Sequence, residues 1–116
     1  MIVDRLIELL EEIENVDCVI RQGTLSANEK YPNLFITFWE NESDDGNHYD
    51  DFKTSTTIYD FDINVYGSNV GLVYETILKI KQKLIQNNFL VNGTGYDVAS
   101  DETTHIGRGI NTKYVE

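Results

Sequence analysis

"TTIYDFDINVYGSNVGLVYETILKIKQKL", residues 56–84, changes its period at Gly67. Before that glycine, Asp60, Asp62 and Asn64 alternate with Tyr59, Phe61, Ile63 and Val65, the two-residue period of a strand. After it, Val70, Val73, Ile77, Ile80 and Leu84 recur at spacings of three and four, the apolar stripe of a helix. The stretch therefore reads as a long strand over residues 52–66, a break at Gly67 and Ser68, and a helix capped by Ser68. Because both stripes are apolar, Tyr59, Phe61, Ile63 and Val65 are expected to pack against Val73, Ile77, Ile80 and Leu84. The outer helix surface carries Glu75, Lys79, Lys81 and Lys83, which solvation, an i,i+4 pair and the negative C-terminal end of the helix account for.

Working outward, residues 90–99 and 106–115 read as two more strands joined by a turn of acids and threonines. Upstream, Ile2, Val3, Leu6, Ile7, Leu9, Leu10 and Ile13 mark a helix over residues 2–15. "DCVIRQG", residues 17–23, reads as a short strand, residues 24–33 as a loop around Pro32, and "LFITFWE", residues 34–40, as a strand. Helices segregated from strands in this order predict an α+β fold, an antiparallel β-sheet with two helices packed on one face. At 116 residues the chain is expected to form a single domain, residues 1–116.

Composition narrows the function. Nine Lys and Arg against 20 Asp and Glu give a formal charge of −11, so the surface repels phosphate and sequence-specific nucleic-acid binding is not expected. The apolar runs are too short to span a bilayer and no membrane partner is expected. The single cysteine, Cys18, cannot form an internal disulfide and sits in the apolar run "CVI", which suggests a buried structural thiol.

The row Asp60, Asp62 and Asn64 raises the question of a metal, since two carboxylates and an amide on one strand face are hard-cation ligands. A nuclease built there would need a further carboxylate converging from another strand. The simpler reading is a sheet face turned to water or to another subunit, with no metal and no cofactor. Residues 40–51 hold six acids, yet Asp44 and Asp45 are adjacent and no bidentate Glu follows at calcium-loop spacing, so a solvated loop is expected. His48 and His105 lie in polar segments without a zinc-ligand neighbour. "GTG", residues 93–95, falls within strand pattern and reads as a turn or bulge. "DETTHIGRG", residues 101–109, gathers Asp101, Glu102, His105 and Arg108, but neighbours in a turn point apart, and Arg108 is expected to pair with a carboxylate across a sheet or interface. No enzymatic activity is expected.

Trp39 and Tyr66 beside acids suggest a protein interface. "YPNLFITFWE" after an N-terminal helix, "TIYDFDINVYGSN" running into "VGLVYETILKIKQKLIQNNF", and then "GYDVASDETTHIGRGINTKYVE" together resemble the small tail completion or tail-to-head joining proteins of long-tailed bacteriophages, the tail-terminator-like group. The resemblance implies an α+β fold, no catalysis, no cofactor, and a homo-oligomeric ring, commonly hexameric, where the tail meets the head. It implies as partners the phage tail tube and head connector proteins, with DNA passing through the ring. It also implies a place in the virion, assembled in the cytoplasm of a host bacterium. Candidate interface residues are Asp44, Asp45, His48, Tyr49 and Phe52 of the acidic loop, with Asp60, Asp62, Asn64 and Arg108. The aromatic residues of that loop suggest docking against a neighbouring ring. The alternative that charge alone permits is a small acidic DNA mimic or inhibitor occupying a host enzyme's basic cleft.

Overall fold

The computed structural model describes residues 1–21, 31–41 and 57–116, and the backbone of residues 44–45. In chain order the elements are α1 (Ile2–Glu11), β1 (Cys18–Arg21), β2 (Leu34–Glu40), β3 (Asp44–Asp45), β4 (Thr57–Gly67), α2 (Val70–Gln86), β5 (Leu90–Val91), β6 (Tyr96–Val98) and β7 (Ile106–Val115). This is an α+β fold built on one mixed, mostly antiparallel sheet of order β1-β2-β4-β7-β5, with β3 added to β4 and β6 to β7.

The central strand is β4, and its neighbours fix the register. Ile36 pairs with Val65 and Phe38 with Ile63 on the β2 side, and Ile63 pairs with Ile110 on the β7 side. Cross-strand partners share a face, so the odd-numbered residues of β4 stand with Leu34, Ile36, Phe38 and Ile110. These join Val3, Leu6, Leu9 and Leu10 of α1 and Val73, Ile77, Ile80 and Leu84 of α2 in a single buried cluster, with Tyr59 packed at its edge. The expected strand-to-helix packing is present. Lys79 and Lys83 of α2 reach Glu14 and Glu12 beyond α1, at 3.5 and 3.3 Å, tying the helical layer together on its outer side.

Several details depart from expectation. The one parallel pair is β1 with β2, and the connection of residues 22–33 has about the dozen residues that a parallel crossover needs. Helix α1 stops at Glu11 instead of residue 15, and Asn15 takes a left-handed φ of 67°. Ile13 still reaches the core. Helix α2 is capped by Asn69, not Ser68: Asn69 is extended and its Oδ1 accepts from Leu72 N at 3.0 Å, whereas Ser68 N donates to Asn33 O. Val70, the first residue of the apolar helix stripe but not one of those expected to pack on β4, is 55% exposed. Cys18 is only half-buried. The expected strand over 90–99 is two short pieces, because Gly93 and Gly95 adopt φ of 74° and 108°, a turn that only glycine enters readily.

Candidate interaction surface

The even-numbered residues of β4 point away from the helices and form a ladder across three strands. Tyr66 stands between Phe35 and Gly107, Asn64 between Thr37 and Gly109, Asp62 between Trp39 and Asn111, and Asp60 beside Lys113. The two ends of this face differ.

At one end the surface is sealed. Phe35 is buried, with Tyr66 stacked on it at 5.3 Å between ring centroids and Tyr31 edge-on at 5.6 Å. His105 is buried beside them, and its Nε2 lies 2.7 Å from Pro32 O; a carbonyl only accepts, so Nε2 carries the proton. Its Nδ1 is 2.9 Å from Thr104 Oγ1. Gly107 makes this packing possible, since a Cβ there would fall 2.8 Å from Tyr66 Cε1 and 2.7 Å from Val98 O. At Gly109 the same space holds Asn64 Oδ1 and the Tyr96 ring.

At the other end the surface is open and polar, and the carboxylates are spoken for. Asn111 Nδ2 donates to Asp60 Oδ1 at 2.6 Å and to Asp62 Oδ1 at 2.9 Å. Asn41 Nδ2 donates to Asp60 Oδ1 at 3.0 Å and to Asp62 Oδ2 at 3.1 Å. Lys113 Nζ stands 3.4 Å from Asp60 Oδ2, and Tyr96 OH donates to Asp62 at 3.5 Å. Each of the four carboxylate oxygens has a donor, so a metal ion ligated by these oxygens would have to displace donors already in place, while Lys113 offsets only one of the two charges. Burial alone would raise the Asp60 carboxyl, but the bonds from Asn41 and Asn111 and the nearby ammonium of Lys113 outweigh it and hold the group below its ordinary range. The Tyr96 hydroxyl is pushed up by burial and by the Asp62 charge. Among the described residues no group of three or more His, Cys, Asp and Glu converges.

The sequence-predicted residues separate accordingly. Asp60, Asp62 and Asn64 share this face. Arg108 does not: it points to the helix side, where Nη1 meets Asp97 at 2.8 Å, Nη2 donates to Gly95 O at 3.0 Å, and the guanidinium lies 4.8 Å from the centre of the Tyr74 ring. Arg108 thus finds its carboxylate within the chain. His105 and Arg108 face opposite sides of the sheet, so "DETTHIGRG" assembles no acid–base pair. Asp44 and Asp45 form the short strand paired with Ile58 and Thr57. His48, Tyr49 and Phe52, and the docking role given to their loop, lie outside the described residues.

Sequence reasoning missed Asn111 and Lys113, brought to the acids by the register of β4 against β7, Tyr96, carried there by β6, and Asn41, which follows β2 on the other side of β4. It also missed a second surface. Val70, Tyr74, Leu78 and Ile85 are all about half exposed, and their spacing of 4, 4 and 7 was a legible helical stripe overshadowed by the stronger buried one. Beside them, Val70 and Tyr74 line a shallow groove of about 480 Å³ whose other wall includes Val98, Glu102 and Ile106. No protein-family model matches this chain, and no curated protein does either.

Proposed function

We propose that this chain is a structural protein of the head–tail junction of a long-tailed bacteriophage, forming a homo-oligomeric ring that completes the tail and joins it to the head connector. The observation that carries the reading is the open half of the second sheet face. There Trp39 and Tyr96 remain 42% and 44% exposed around carboxylates whose donors are already in place. Such a surface is built to meet another protein: aromatic anchors with a satisfied polar rim suit an interface better than a reaction centre. The charge of −11 supports the same role, because an acidic ring lets DNA pass without holding its phosphates. In this reading the subunits assemble in the host cytoplasm and are carried in the virion.

The test is genetic. Disrupting the chain in its phage should leave filled heads and finished tails unjoined in lysates, with joining restored when the wild-type chain is supplied. Normal infectious particles without it would overturn the reading. If the purified chain is instead a stable monomer that blocks a nuclease or polymerase with a basic cleft, the acidic-mimic function takes its place.

A further inference from the structure

Nine large hydrophobic side chains are exposed among the described residues, and all except Met1 fall on two patches. One is the flank of α2 made by Val70, Tyr74, Leu78 and Ile85. At 3.6 residues per turn these lie within roughly 80° of arc, directly beside the buried stripe. The other is the second sheet face, where Trp39, Leu90, Tyr96 and Val115 share the side of Asp62, Asn111 and Lys113 by register. The two patches lie on different sides of the molecule and differ in character.

The α2 flank is a convex helical strip with no acid in it and one cation, Lys81, whose Nζ donates to Gly93 O at 2.7 Å. The sheet face is broad and, among the described residues, carries Asp60 and Asp62 against one cation, Lys113, with no described element over it. Helices cover the sheet's other side, and on this side Trp39, Leu90, Tyr96 and Val115 leave exposed apolar area that a further layer would bury. We propose that the α2 flank of one copy packs on the open sheet face of the next, placing Leu78 and Ile85 against Trp39 and Val115 and Lys81 beside Asp60 and Asp62. A second helical layer then completes each sheet, and the contact uses two different surfaces, so it propagates head to tail and closes a ring where the rotation allows. This contact rests on the ring reading above and names the surfaces that make it.

A mixing experiment tests the pairing. Leu78→Glu spoils only the flank and Trp39→Glu only the sheet face; both sites are exposed, and Ile85→Glu and Val115→Glu serve as second variants if either fails to fold by circular dichroism. Each variant alone is expected to run at the mass of one subunit. An equal mixture should give complexes of two, because each variant retains the patch that the other lacks, whereas wild type gives rings. Rings persisting in either variant alone would overturn this pairing and leave the ring itself standing. Variants that stay monomeric even when mixed would also overturn it, because an intact flank would then have met an intact sheet face without binding; a pair formed by only one variant on its own would mark a like-with-like contact instead. A wild-type chain that never self-associates would remove both the pairing and the ring.

Discussion

At Asp60, burial and hydrogen bonding act in opposite directions and hydrogen bonding wins. The folded-state carboxyl binds its proton less readily than the unfolded one, whose ordinary value is about 3.9. Its contribution is therefore complete above that value and is lost as pH falls through the lower folded value. Asp60→Asn should flatten the fall in melting temperature, relative to wild type, as pH drops below about 4, the unfolded carboxylate's ordinary value. An unchanged acid profile would show that the amides do not hold the charge. Gly107 gives a sharper test of the sealed end, since part of what a Cβ would meet is backbone, Val98 O at 2.7 Å, which cannot swing aside. Gly107→Ala should cost about 1–3 kcal/mol in denaturant unfolding, in line with other overpacked sites. The alternation of Asp60, Asp62 and Asn64 was plain in the sequence. Their partners were not, because Asn111 and Tyr96 reach them from other strands and Asn41 from just past the end of β2, and register is a tertiary property.

The elements were most legible where a single period ran unbroken. Helix α2 and strands β2 and β7 stand where their patterns put them, because each buries one continuous stripe. Legibility failed where local chemistry decides an end: Asn69 displaces Ser68 as cap by one residue, and two left-handed glycines divide an expected strand. The parallel pairing of β1 had no local signal, since four residues carry no mark of strand direction. Helix α2 offers a paired measurement of its two apolar stripes. Ile77 is 1% exposed, so Ile77→Ala should cost about 2–5 kcal/mol. Leu78, one residue on, is 47% exposed, and Leu78→Ala should change stability by about 0.5 kcal/mol or less while weakening self-association. Asn69→Ala should cost about 1 kcal/mol through the lost cap. Equal losses at Ile77 and Leu78 would mean that the helix is rotated from the orientation described.

For the whole molecule, the balance between core and surface carries the functional account. One buried cluster joins both helices to one side of the sheet, while eight exposed hydrophobic residues gather in two patches instead of scattering. Scattered singly they would need no explanation; gathered, they mark contact surfaces. On the proposed reading, the strong acidity of the whole chain would keep a free subunit dispersed before assembly. The central claim is that the chain is an assembling ring subunit, and the mass of the purified full-length protein tests it most directly. Sedimentation velocity, run from micromolar to sub-millimolar concentration and followed by electron microscopy of the heaviest species, should give closed rings of several 13.3 kDa subunits. A single species of one subunit's mass across that whole range would contradict it.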